Sequence, residues 1–205
     1  MFIQIMQGAC SREAEMRDAI ERWRTDCEPG AEGWLGGTYG FTDDGRFVGV
    51  VRFASEEAAR ANSDRPEQGR WWSETEQLFD GPVEFHDCRD VSVMLGGGSD
   101  DAGFVQIIEG KVDDPARMRE LFEQSGETLH EARPEIVGAT LAIEDDGTFV
   151  ETVAFTDEST AREHEPAETP EPLRAQMDEA HMHDLQYMDL HHPWYTTHGQ
   201  PTARH

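Results

Sequence analysis

Arg52, Glu84 and His86 are the side chains of this sequence best suited to chemistry, and Gln4 and Gln106 are the amides placed to assist them. A guanidinium can bind an oxyanion, and an imidazole titrates near neutral pH and can serve as a base. An amide donates and accepts at once, which suits orienting a carbonyl or a phenol. Strand alternation predicts which of them share a cavity. On a first strand over 2–8, Ile3 and Ile5 are assigned to the helix side, so Phe2, Gln4 and Met6 face a central cavity. On a later strand Phe47, Val51 and Phe53 are assigned to the helices, so Arg52 faces the cavity. Val83 and Phe85 in the same way leave Glu84 and His86 facing it. The competing reading is an Arg–Glu pair closing one end of the fold beside an exposed histidine, with Gln4 buried and bonded to a neighbouring strand or to Gln106. Trp71-Trp72 adds flat apolar surface: one ring for the core, the other to wall a pocket for an aromatic ligand.

Other chemistries find less support. His181 and His183 are weak metal candidates, because two rings on one strand face could ligate a divalent cation. The strand is expected to begin only after His183, however, and no spacing supplies a third ligand. No metal and no cofactor is expected. Cys10, Cys27 and Cys88 form no CxxC pattern and read as reduced thiols. There is no Gly-rich phosphate loop, nucleophile elbow or dinucleotide fingerprint. The net charge of −26, from 17 basic and 43 acidic residues, argues against nucleic acid or an anionic membrane as partner. Lys111 is the only lysine. No apolar run reaches the length of a membrane span, and the N-terminus lacks the basic start of a secretory signal, so a cytoplasmic location is expected.

The elements that must position these residues are written twice. Phe2, Gln4, Ile5 and Gly8 return as Phe104, Gln106, Ile107 and Gly110, always 102 residues later. Gly36, Thr38, Gly45, Phe47, Phe53, Glu56, Ala59, Arg60 and Asp87 return as Gly138, Thr140, Gly147, Phe149, Phe155, Glu158, Ala161, Arg162 and Asp189. A repeat of that length is a duplicated domain. Within each copy the pattern predicts a strand, a helix over 12–28 (Ser11 as N-cap) or after Asp113 and Asp114, and a hairpin at Asp44-Gly45 or Asp146-Gly147. A second helix follows, capped by Ser55 or Asp157 and resumed after prolines over 70–79 or 172–181. A last strand is expected over Val83–Cys88 or Leu185–Leu190. Val91–Leu95 is expected as an extra edge strand or an extended connection. The order β-α-β-β-α-β is the ferredoxin-like split unit, whose sheet carries helices on one face only. The predicted organisation is a first repeat over 1–95, a Gly-rich linker at 96–103, a second repeat over 104–192 and a loop-like tail over 193–205.

On that order, the Asp-Gly hairpin and the Phe-x-Ser-Glu start of the second helix (Phe53, Ser55, Glu56, with Ala58 and Ala59), the chain resembles tandem dimeric α/β-barrel proteins of the superfamily that includes the antibiotic biosynthesis monooxygenase domains. The resemblance implies an α+β fold of two ferredoxin-like repeats packed sheet to sheet into an intramolecular barrel. It also implies a small-molecule site, with a cofactor-independent monooxygenase acting on an aromatic substrate as the leading expectation. A ligand-binding or stress-associated module without turnover is the alternative, and haem or metal binding a weaker one. In such proteins a tryptophan on the second helix and an amide on the first strand hold the ligand, and Trp71 or Trp72 with Gln4 are the matching residues. This chain has glutamine where haem-degrading members carry asparagine. A monomer with pseudo-twofold symmetry, or a weak homodimer, is expected.

Overall fold

A computed structural model describes residues 1–97, 100–144, 146–164 and 181–197. The first copy contains β1 (Phe2–Ala9), α1 (Glu13–Asp26), β2 (Trp34–Phe41), β3 (Arg46–Phe53), α2 (Glu56–Ser63), α3 (Pro66–Thr75) and β4 (Glu84–Cys88), followed by β5 (Asp90–Met94). The second contains β6 (Phe104–Val112), α4 (Pro115–Ala132), β7 (Ile136–Ile143), β8 (Thr148–Phe155), α5 (Glu158–His164) and β9 (Met182–Leu190), followed by β10 (Trp194–Thr197). Of the helix expected at 172–181, residues 172–180 lie outside the described residues, as do His198 and the end of the tail. None of the described helices is long and apolar enough to cross a membrane.

The described strands form two five-stranded sheets, ordered β10-β2-β3-β1-β4 and β5-β7-β8-β6-β9. Without its β10 or β5 edge, each has the 4-1-3-2 order of the ferredoxin-like unit, so the fold is α+β with two such repeats. The additional edge strand of each sheet comes from beyond the other copy. β5 follows copy one yet pairs with β7, Ser92 opposite Leu141, and β10 follows copy two yet pairs with β2, Tyr195 opposite Thr38. Contacts divide the chain accordingly into a first unit of Met1–Asp87 with β10, and a second of Cys88–Pro193. By these contacts the chain passes from one unit to the other at Asp87–Cys88. The tail, expected as loop, forms β10 because Trp194 has an apolar place to fill. Its ring stacks on Tyr39 and Phe41 at 5.8 and 5.9 Å, and the Arg17 guanidinium lies 3.9 Å from its centre.

Local chemistry accounts for most element ends. Both hairpins turn at glycines in the left-handed region, Gly45 at φ 79° and Gly147 at φ 83°. Ser55 caps α2 by accepting from the Ala58 amide at 3.2 Å, Asp114 caps α4 from Arg117 at 2.9 Å, and Asp157 caps α5 from Thr160 at 2.8 Å. Ser11 does not cap α1. Arg12 holds that position without a side-chain bond, while Asp80 accepts the Ser11 amide at 2.6 Å. Pro66 opens α3 instead of merely interrupting the helix before it, as the first helical position loses nothing by lacking an N–H.

The face assignment on β1 is reversed. Phe2 and Met6 pack with the helices, Phe2 beside Trp23 and Ala59, Met6 beside Met16 and Ile20. Register enforces this: Phe2 lies opposite Phe53 and Gln4 opposite Val51, and paired residues share a face. The expectation for Phe47, Val51 and Phe53 holds, and through this pairing it fixes β1 as well. Ile3, Ile5, Val48 and Val50 stand on the other face, also buried. Both faces of β1 being apolar, alternation alone had no polar side to mark.

Candidate functional site

A cavity of about 360 Å³ lies within the first unit, between its sheet and helices α1, α2 and α3. Its floor is aromatic. Trp23 of α1 and Trp34 of β2, exposed by only 6% and 2%, stand with ring centres 5.0 Å apart and tilted by 56°. Trp71, Trp72 and Phe85 continue the wall toward solvent. Trp71 and Trp72 are 6.2 Å apart, and Trp72 meets the Phe85 ring edge-on at 5.2 Å. Phe85 remains 47% exposed, so this side is the mouth.

Hydrogen bonds hold the walls in place. The Trp71 indole N–H donates to the Ala19 carbonyl of α1 at 2.7 Å, and that of Trp23 donates to Gln68 Oε1 at 2.6 Å. Asn62 donates to the same Gln68 oxygen at 3.2 Å and accepts from Arg65 at 2.9 Å. Tyr39, at the inner end, accepts from the Thr196 hydroxyl of β10 at 3.3 Å, and burial pushes its phenol pKa up. Gly37 leaves room for this ring: a side chain there would begin 2.1 Å from the Tyr39 hydroxyl. Walls of this kind are preformed, as small-molecule sites generally are.

One polar pair completes the cavity. Gln4 Nε2 of β1 donates to Asp87 Oδ1 of β4 at 2.7 Å, and both residues line the space. The second unit repeats it, Gln106 Nε2 donating to Asp189 Oδ1 at 2.9 Å. There Arg162 of α5 also reaches Asp189, with its guanidinium 5.1 Å from the Phe104 ring. The matching arginine in the first unit, Arg60, turns to Glu56 at 2.8 Å. The Asp87 carboxylate therefore carries no guanidinium from that helix and faces the cavity mouth.

Gln4, Trp71 and Trp72 thus come together, on the helix side of the sheet and not on the side assigned to Gln4. Arg52, Glu84 and His86 stand on the opposite face and do not join them. Arg52 lies opposite Ile3 and donates to Thr38 Oγ1 at 3.1 Å. The arginine on Glu84 is Arg46, at 3.1 Å, and Gln7 Nε2 lies 3.3 Å from both Glu84 and His86. Glu84 and His86 are neighbours along one edge, then, but not with Gln4. In the second unit Gln106 lies on the helix side with Phe104 and Ile108. His181 precedes β9 at a positive φ of 51°, so the two histidines do not share a strand. His183 is exposed and bonded to Asp184 at 3.1 Å. No cluster of three His, Cys, Asp or Glu able to hold a metal occurs among the described residues.

Sequence reasoning missed Asp87, Trp23, Trp34 and Tyr39. A signal existed for each. Asp87 and Asp189 repeat at the same spacing as Gln4 and Gln106, and the three aromatics have Ser125, Ile136 and Leu141 as their second-copy counterparts. Large rings present in one copy alone mark where the copies differ around the cavity.

No protein-family model matches the chain, and no curated protein matches its sequence. Solved structures do match its fold over nearly full length. A protein described as a "putative monooxygenase" from Lactobacillus acidophilus superposes with a TM-score of 0.75 at 13% identity, over 97% of this chain and 96% of that one. Another so described, from Fusobacterium nucleatum, gives 0.75 at 12% identity, over 97% and 94%. An anthrone oxidase-like protein gives 0.66 at 11%, over 97% and 94%. At such identities the likeness is one of fold.

Proposed function

We propose that the first unit's cavity binds an aromatic small molecule and that the protein is a cofactor-independent monooxygenase acting on it. The observation that carries this reading is the aromatic cavity itself, with a single anchored carboxylate at its mouth. Its volume falls in the range of about 300–1,000 Å³ found for small-molecule sites. The full-length fold likeness to proteins described as monooxygenases, and to one described as anthrone oxidase-like, supports the class of reaction. In such a reaction an activated ring CH2 and dioxygen give a ring carbonyl and water. All four electrons come from the substrate, and both hydrogens end in the water. The protein's part is to hold the ring between Trp23, Trp34 and Trp72, to orient it through the Gln4–Asp87 pair, and to exclude water from the reacting carbon.

The test is oxygen uptake with a panel of anthrones and polycyclic phenols, without added cofactor, for wild type and Trp72→Ala. Uptake matched one-to-one by ketone product, and lowered at least tenfold by the substitution, is the expected result. Melting-point increases without uptake would instead favour the binding module, and neither response would remove both readings.

A further inference from the structure

Resting on the reading of this cavity as the ligand site, we propose that it selects a ligand whose polar end is a protonated amine, and discriminates against carboxylates. Three observations converge on this. Among the described residues, the only ionisable groups that line the space are the Asp87 carboxylate and the Tyr39 phenol, with no arginine, lysine or histidine. Among the described residues Asp87 has one side-chain bond, from Gln4, and Arg60, which matches the Arg162 that covers Asp189 in the second unit, is turned away to Glu56. The walls beside it are ring faces set at steep mutual angles, 45° between Trp71 and Trp72 and 69° between Trp72 and Phe85.

A cation gains from both features. Indole and phenyl faces attract positive charge through their quadrupoles, and an ionised carboxylate accepts its N–H bonds. A carboxylate-bearing ligand would meet Asp87 as a like charge, with no basic side chain among the described lining residues to offset it. Two of the indole N–H groups that could have served an anion are already committed, Trp71 to Ala19 and Trp23 to Gln68. The field of a chain with net charge −26 acts in the same direction, drawing cations toward the mouth. Geometry places the two ends of the ligand: apolar rings inside against Trp23 and Trp34, the ammonium at the mouth between Asp87, Trp72 and Phe85.

The experiment compares three ligands with one ring system and different heads: 2-(2-naphthyl)ethylamine, 2-(2-naphthyl)ethanol and 3-(2-naphthyl)propionate. Affinities are measured by calorimetry at pH 7 and low salt on the full chain. The amine should bind about tenfold more tightly than the alcohol, the combined scale of one exposed cation–π contact and one exposed ion pair, and the propionate more weakly than either. Asp87→Asn should abolish the preference for the amine, bringing its affinity to that of the alcohol, and an unchanged far-UV circular dichroism spectrum would show the variant folded. Equal binding of all three, lost in Trp72→Ala, would overturn the charge selectivity and leave the aromatic cavity standing. Tightest binding of the propionate would overturn it as well. Failure of all three to bind would overturn both readings.

Discussion

At the scale of single residues, the two copies keep the same Gln–Asp pair and differ in what surrounds it. One arginine turned to Glu56 in place of the strand carboxylate leaves the first pair open, and its counterpart closes the second. Glu151 shows divergence in the opposite sense. It stands where the first copy has Gly49, on the helix side of the second sheet, opposite Ile108 and Leu141. Burial pushes its carboxyl up to about 7. Since the folded-state value is raised above the usual 4.5, the native protein binds the proton more tightly than the unfolded chain does. Stability from this group is therefore complete below about pH 4.5 and is lost as pH rises through 7. Glu151→Gln should stabilise the protein by about 1–3 kcal/mol at pH 8 and change little at pH 4.5, a difference that urea titrations at the two pH values would reveal. An equal effect at both would show that the carboxyl is solvated. Such residues were hard to foresee. The type and repeat position of Gln4 marked it from sequence, but its face did not follow, because Phe2 and Met6 are as apolar as Ile3 and Ile5.

At the scale of elements, most of what the sequence spelled locally formed: the Asp-Gly hairpins, the Ser55 and Asp157 caps, and over Asp90–Met94 a strand where Val91–Leu95 was open to a strand or an extended connection. What it could not spell is pairing at long range. β10 is four residues long, and only its place beside β2 shows why it is a strand, since its partner lies far back in the chain. Trp194 carries most of its apolar contact, against Tyr39, Phe41 and Phe47. Trp194→Ala should destabilise the protein by about 2–3 kcal/mol, somewhat below the loss for a fully buried tryptophan because the ring is only partly covered. Thr196 shares this strand and bonds Tyr39, so the same variant should weaken ligand binding in the cavity several-fold. Chemical denaturation and calorimetry on one sample would check both, and a loss of stability without a loss of affinity would separate the strand from the site.

At the scale of the whole molecule, duplication gave two sheets of one topology, and the site reading places the ligand in just one of the two units. The copies are otherwise tied to one composition, acid-rich and almost free of lysine. With a net charge of −26 the folded chain repels itself, and screening should relieve that. Raising NaCl from 0.05 to 1 M should raise the melting temperature by several degrees, whereas an unchanged value would mean that local ion pairs such as Arg46–Glu84 already balance the field. The exchange of edge strands has a further consequence, in time instead of space. Tyr39 and the Thr196 that bonds it are 157 residues apart, so at about 5–20 residues per second a ribosome needs roughly 10–30 seconds to make the second after the first. The unit that begins the chain is the last to be finished, and β2 waits through that interval as an open strand edge. A stop codon placed just before Trp194 would spare the second unit's sheet and damage the first, together with its cavity.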